Sequence, residues 1–271
     1  MKKIHVTLAS IMMVAVFSCK EAKKSADTTT DEMQGTEEKM AEKSSITLTK
    51  LDGSPAYEDA SLVLESPENT TIATSGEIDF NFAVSNYELG AQTESENATK
   101  LANSGKGQHI HFILNNQPYS AHYEPNFKKE LPDGVHHLVA FLSRSYHESV
   151  KNENSVVVKK MEIGKDPADT QGLDMEAPTL IYSRPKGTYA GTDATNLMLD
   201  FFVLNTTLSE NGNKVKATIN GEEFTITEWA PYVINGLPLG EVTITLELVD
   251  GNGNYIEGPF NKVTRTVTLK S

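Results

Sequence analysis

The segment Val215-Lys-Ala-Thr-Ile-Asn220-Gly221-Glu-Glu-Phe-Thr-Ile226 has the pattern of two short strands joined by a tight turn. Apolar and polar residues alternate through Val215–Ile219 and again through Glu222–Ile226, as they do in strands with one buried face. Asn220-Gly221 suits a type I′ turn, whose two central residues need positive φ. The segment therefore predicts a β-hairpin.

This hairpin belongs to a set of three sequence blocks that occurs twice, in the same order. The first copy contains Ile78–Leu89, Gly107–Tyr119 and Leu131–Leu142, and the second contains Leu197–Leu208, Gly212–Phe224 and Leu237–Leu248. The turn residues match, with Asn115-Asn116 standing where the second copy has Asn220-Gly221. We interpret the repeat as an internal duplication. Short strands at this spacing predict an antiparallel β-sandwich in each copy.

The fold class that we predict is all-β, with two tandem immunoglobulin-like antiparallel sandwiches after a disordered tether. The segment after Cys19 is Lys, Glu, Asp, Thr, Ser and Ala with few large apolar groups, so it cannot offset its ordering entropy by burial. The predicted organisation is a signal peptide at 1–18, a tether at 19–45, a His-rich sandwich at 46–164, a linker at 165–177 and a second sandwich at 178–271.

The N-terminus predicts a lipid anchor. Lys2 and Lys3 form a positive start, and the mostly apolar run His5–Phe17 is shorter than the roughly 20 residues that a membrane span needs. Val16-Phe17-Ser18-Cys19 resembles a bacterial lipobox, in which the cysteine is diacylated with fatty acids such as palmitate. The alternative is a plain signal peptide with an incidental cysteine. Cys19 is the only cysteine, which excludes an internal disulfide and a thiol catalyst elsewhere.

Charge and composition narrow the partners. Cys19-Lys20-Glu21 resembles, in part, the export signal of surface lipoproteins in the Bacteroidetes, which implies a cell-envelope protein at the outer membrane, periplasmic or surface-exposed. The formal net charge is −13, so nucleic acid is excluded as a partner and anionic headgroups repel the chain. We therefore predict that the chain contacts the membrane through its lipid anchor. A second predicted partner is an envelope or extracellular ligand of unknown identity.

Histidine is distributed unevenly between the two copies. Of seven histidines, His5 lies in the signal and the other six lie between His109 and His147, while the second copy has none. In the aligned blocks, Lys214 and Lys216 occupy the places of His109 and His111. A scaffold that needed histidine would need it in both copies. The histidines are therefore additional to the fold and indicate a site.

The spacing of these histidines suits a transition metal. His109 and His111 are two residues apart, which places both rings on one face of a strand. Imidazole binds Zn²⁺ and Cu²⁺, and three histidines form a known zinc site. We predict Zn or Cu bound by His109 and His111, completed by His136 or His147. The alternatives are that His109 and His111 lie on an open, solvated sheet face, and that His136 points into the core, since it aligns with Val242.

Three segments of the first copy carry a family resemblance. Gly107-Gln-His-Ile-His111, Leu131-Pro-Asp-Gly-Val-His136-His-Leu138 and His147 resemble an uncharacterised family of small bacterial periplasmic domains with a Gly-His-His-His motif. Gln108 and Ile110 depart from that motif by interrupting the run of histidines. The resemblance implies a shared site at His109, His111, His136 and His147, and implies no particular activity.

Ser143-Arg144-Ser145-Tyr146-His147 is a second candidate, because Arg144 and Tyr146 can bind a carboxylate or phosphate. The alternative is an ordinary polar loop. Three function classes follow: a metal- or ligand-binding module of the cell envelope, a non-catalytic structural or adhesive surface lipoprotein, and an enzyme. The enzyme class ranks last, because no nucleophile–base set is evident.

Overall fold

The computed structural model of the chain describes residues 46–271. The predicted signal peptide, Cys19 and the tether lie outside the described residues. Within residues 46–271, no helix is both long enough and apolar enough to cross a membrane.

Nearly all regular structure in the first half is strand. The strands are β1 (Thr47–Lys50), β2 (Ser61–Ser66), β3 (Thr71–Ile72), β4 (Gly76–Ser85), β5 (His109–Leu114), β6 (Ser120–His122), β7 (Asn126–Leu131), β8 (Gly134–Ser143) and β9 (Val156–Ile163). Between them lie a single helical turn, α1 (Asn97–Lys100), and a 3₁₀ turn, Glu153–Ser155.

The second half repeats the strand series. The strands are β10 (Thr179–Arg184), β11 (Thr188–Ala190), β12 (Leu197–Leu204), β13 (Lys214–Ile219), β14 (Glu222–Ile226), β15 (Tyr232–Asn235), β16 (Gly240–Val249) and β17 (Lys262–Lys270), with a 3₁₀ turn at Gly191–Ala194. Asn220 and Gly221 both have positive φ, 47° and 90°, as the predicted turn between β13 and β14 requires.

The two halves have the same topology. In the first, the sheets β2-β4-β7 and β3-β9-β8-β5-β6 face each other, and in the second the sheet β11-β17-β16-β13-β14 faces β15-β12-β10. The pairs β3–β9 and β11–β17 are parallel, and all other ladders in the described residues are antiparallel. The predicted fold class, two immunoglobulin-like antiparallel sandwiches, is confirmed.

Each sandwich has its own apolar core, built from the alternate residues of its strands that face the opposite sheet. In the first, Phe80, Phe82 and Phe112 pack together, with Phe80 and Phe112 ring centroids 4.9 Å apart. In the second, the core is mainly aliphatic, and Val215, Ala217 and Ile219 supply its β13 face. Each copy of the repeat seen in the sequence therefore forms a sandwich with a core of its own.

The sandwiches also share contacts that the sequence did not predict. The outer face of the five-stranded sheet of the first sandwich packs on the second through an apolar cluster that includes Phe141 and Phe202, whose ring centroids are 4.4 Å apart. Asn116 donates to the carbonyl of Leu180 at 3.1 Å. The strand β1 lies within the predicted first domain, yet it pairs with β15 of the second sandwich.

Candidate metal centre

His109 and His111 lie on the outer face of β5. Strand alternation turns Ile110 and Phe112 into the core of the first sandwich, so the two histidines face the opposite way. The strand β10 of the second sandwich covers that face, and both rings have 0% exposure. The alternative that these histidines lie on an open, solvated face is therefore wrong.

His147 is brought to the same place by the turn after β8. Its backbone has φ of 69°, in the left-handed region, and its N–H donates to the Arg144 carbonyl at 2.8 Å. The matching turn after β16 has Gly253 at the equivalent position, with φ of 85° and a 3.0 Å bond to the Asp250 carbonyl. A side chain in this conformation costs about 1–2 kcal/mol, so a histidine where the duplicate has glycine indicates a use for the ring.

The three rings direct nitrogens at one another. His109 Nε2 is 2.9 Å from His111 Nε2 and 3.0 Å from His147 Nδ1. One ligand atom from each of the three lies within 4.8 Å of the others. Two nitrogens bound to one tetrahedral Zn²⁺ are roughly 3.3 Å apart, given Zn–N bonds of about 2.0–2.1 Å. The spacing therefore suits three ligands of a single ion after small ring rotations.

The hydrogen bonds on the far sides of the rings favour the ligand form. His109 Nδ1 donates to the Gly107 carbonyl at 2.8 Å, so Nε2 of the neutral ring has no proton and carries a lone pair. Nitrogens of both His111 and His147 approach that one lone pair, which accepts one well-aligned hydrogen bond. A cation held between the rings would remove this conflict, because each ring could then direct a lone pair at it. His111 Nδ1 lies 3.3 Å from Ser183 Oγ, where its N–H can donate as outer support.

Burial keeps these imidazoles neutral. It lowers the pKa of His109 to about 4, and lowers the pKa of His111 well below its usual value. Burial also lowers the pKa of His147 far below the usual range, and the charges of Arg184 and Lys186 lower it further. Neutral imidazole is the form that binds a metal.

The structure does not bring His136 to this cluster. Its Nδ1 accepts from Asn115 Nδ2 at 2.9 Å, and its Nε2 donates to the Pro132 carbonyl at 2.9 Å. The antiparallel register explains the separation, since His109 pairs with Ser143 at the end of β8 and His136 lies near its start. Both ring nitrogens of His136 have partners, as in a structural histidine.

Arg144 and Tyr146 are also engaged within the chain. The Arg144 guanidinium forms a 3.0 Å ion pair with Glu148 and donates to the carbonyls of Pro55 and Ser149. The Tyr146 hydroxyl donates to Ser54 Oγ at 2.9 Å. Both side chains are buried. These groups hold the loop in place and present no free donors to a carboxylate or phosphate.

Sequence reasoning missed Tyr119 and Ser183, two of the side chains that contact the cluster. The Tyr119 ring stacks on His111 with centroids 3.5 Å apart, and its hydroxyl lies 3.3 Å from His147 Nδ1. Ser183 reaches His111 from the second sandwich, 72 positions along the chain. No local pattern marks either residue, because both meet the histidines only through packing.

No protein-family description and no curated protein matches the chain. Similar solved structures include the fibronectin(III)-like modules of Clostridium thermocellum CbhA, at 12% identity over 77% of this chain and 94% of that chain, with a TM-score of 0.27. The Bacteroides ovatus glucan-locus protein SGBP-B, solved with a mixed-linkage heptasaccharide, is 11% identical over 77% and 47%, with a TM-score of 0.23. The extracellular domain of a putative hybrid two-component system from B. thetaiotaomicron is 11% identical over 74% and 38%, with a TM-score of 0.26. Likenesses this weak support no argument about function.

Proposed function

We propose that this protein is a lipid-anchored cell-envelope protein that binds a divalent transition metal, Zn²⁺ or Cu²⁺, through His109, His111 and His147. The observation that carries the proposal is the convergence of three ring nitrogens, one from each histidine, in a buried site. Zinc and copper both accept imidazole sets of this kind.

The second sandwich supports the proposal, because it shows which residues occupy the equivalent strand positions when no histidine cluster is present. Lys214 and Lys216 replace His109 and His111 there, and Lys216 pairs with Glu247 at 2.9 Å near solvent. The strand pattern is unchanged between the copies, so the three imidazoles are not needed to form it. Their burial in one copy only is what a selected ligand set would produce.

Calorimetric titration of the untagged compact unit, residues 43–271, with Zn²⁺ and Cu²⁺ tests the proposal. We expect one ion per chain, bound tighter than roughly 10 µM at pH 7.5, equivalent to about −7 kcal/mol. The change H147G should weaken binding by roughly 100-fold or more, because losing an outer-sphere partner alone costs about 10–100-fold. The absence of binding by the wild type at that level would refute the metal site.

The matched control is H136Q. Its histidine belonged to the predicted ligand set, but in the structure it lies apart with Asn115 and Pro132. Metal affinity should therefore be unchanged in H136Q. Equal losses in H136Q and H147G would show that the two variants act through general destabilisation, and thermal unfolding of both variants detects that case.

Anchoring at the membrane depends on Cys19. Its place after the apolar run and its being the only cysteine support diacylation. We expect C19S to move the protein from the membrane fraction to the soluble fraction, since lipid chains supply about 0.8 kcal/mol per buried CH₂. A correctly cleaved C19S protein that still sediments with membranes after urea washing would contradict the anchor.

A second candidate function is that of a non-catalytic structural or adhesive surface lipoprotein with immunoglobulin-like spacer domains. The observation in its favour is the joint between the sandwiches, where apolar packing and the Asn116 hydrogen bonds hold two folded units as one. A spacer has no need of converging imidazoles. The calorimetric titration therefore separates the two candidates.

A further inference from the structure

Tyr119 belongs to the histidine cluster by contact, although tyrosine was absent from the predicted ligand set. It follows β5 and is 4% exposed. Its ring lies against His111 at 3.5 Å with an interplanar angle of 13°, and its hydroxyl oxygen is 3.3 Å from His147 Nδ1. That separation is close to the roughly 3.3 Å expected between two donors on one tetrahedral ion. The hydroxyl is therefore at the edge of the site.

Three neutral imidazoles leave a divalent ion one donor short of tetrahedral coordination and supply no negative charge. Structural sites are closed by four protein ligands, and the side chains of His109, His111 and Tyr119 are all buried here. Within residues 46–271, no Asp or Glu joins the group of His109, His111 and His147. An anionic fourth donor supplied by the protein therefore belongs to another residue type.

The surroundings of Tyr119 are positively charged. Lys186 Nζ lies 3.8 Å from the centre of the Tyr119 ring, and Arg184 Cζ lies 5.8 Å from it. In the described part of the chain, neither cation forms an ion pair with a carboxylate. Arg184 Nε is buried without a hydrogen-bond partner. A divalent cation added beside the buried Arg184 and the half-buried Lys186, neither of which pairs with a carboxylate, needs a compensating anion.

We propose that Tyr119, as its phenolate, is the fourth ligand of the metal held by His109, His111 and His147. The inference rests on the proposed metal-binding function. On binding, the O–H bond breaks, a metal–oxygen bond forms, and the proton passes to solvent buffer. The ligand lone pair of His111 lies in its ring plane, while Tyr119 stacks above that plane. The phenol ring must therefore tilt out of the stack as the ion enters.

The test uses residues 43–271 loaded with Cu²⁺ alone and, separately, with Zn²⁺ alone. Cu²⁺ bound by phenolate has a visible ligand-to-metal charge-transfer band that imidazole ligands do not produce, and Zn²⁺ produces an ultraviolet difference spectrum of tyrosinate. We expect both signals in the wild-type protein. Y119F should lose both and bind either ion roughly tenfold or more weakly, with His109, His111 and His147 still holding it.

Tyr123 provides the matched control. Its ring lies 5.0 Å from that of His109, but its hydroxyl is 2.8 Å from Ser104 Oγ, outside the cluster. Y123F should keep both signals. Metal bound without either signal in the wild type overturns the Tyr119 assignment and leaves the proposed function standing. No metal binding overturns both. The wild-type spectra decide the question even where Y119F fails to fold.

Discussion

The outer faces of the two five-stranded sheets are formed by equivalent strands, but the face in the first sandwich is largely apolar and that in the second is charged. In the first sandwich this face contains Ile113, Val139 and Phe141, which pack against the second sandwich. In the second, the positions equivalent to Phe141 and His111 are Glu247 and Lys216, which form an ion pair. One backbone arrangement thus serves as a covered, apolar platform in one copy and as a charged surface in the other.

The comparison shows where a site can arise in a duplicated fold. Desolvation is the largest cause of the lowered pKa values of His109, His111 and His147, so the covered face keeps these imidazoles neutral at lower pH than water would. Histidines on the face that contains Lys216 would remain solvated. The joint between the sandwiches therefore creates the environment of the candidate metal centre.

The largest expected effect comes from the covered face. We expect F141A to lower the free energy of unfolding by about 3–5 kcal/mol, because Phe141 has 0% exposure and a large cavity would remain. In the second sandwich, E247A removes ion pairs with Lys216 and Lys262, whose side chains are 35% and 58% exposed, and should cost less than about 1 kcal/mol. Urea unfolding measures both. Similar losses in the two variants would contradict the difference between the faces.

An intermediate effect is expected from pH for each buried histidine taken singly, and all histidines of residues 46–271 lie in the first sandwich. Burial lowers the pKa of His109 and of His137 to about 4 each. Their unfolded pKa is about 6.5, so below that pH the unfolded chain binds more protons and the free energy of unfolding falls. Between pH 7.5 and 5, in chelator, we expect a loss of roughly 2 kcal/mol for each of the two.

Urea midpoints across this pH range measure the effect, and H137F is the control. Phenylalanine keeps the stacking that His137 makes with Phe260, whose ring centroid is 5.4 Å away. The pH dependence should be shallower in H137F by about one proton. A midpoint that is constant from pH 7.5 to 5 in the wild type would show that these rings are not held neutral.

The smallest effect is expected when the equivalent residues of the turns after β8 and β16 are exchanged. H147G should raise the free energy of unfolding of the metal-free protein by up to about 1 kcal/mol, because glycine adopts a φ of 69° without strain. G253H should lower it by a similar amount. Thermal unfolding in chelator checks the pair. A marked loss of stability in H147G would mean that the ring is needed for folding, and would weaken its assignment as a ligand.

The pairing of His109 with His111 could be predicted from the sequence, because it depends only on residues two positions apart. His109 and His111 share a strand face because side chains alternate, and that rule needs no tertiary information. His136 was wrongly placed with them, since the ends of antiparallel strands meet in reverse order. His136 lies seven residue steps along β8 from Ser143, the partner of His109, which places the two histidines roughly 23 Å apart along the strand.

The all-β class and the duplication can be predicted from the sequence, because alternation and turn chemistry are encoded between near neighbours. The restriction of histidine to one copy is likewise visible in the sequence. The folded structure is needed to see which rings converge, that β10 covers them, and that Tyr119 and Ser183 contact them. These outcomes depend on how two complete sandwiches pack. The free energy of that packing comes from apolar surfaces far apart in the chain, such as those of Phe141 and Phe202.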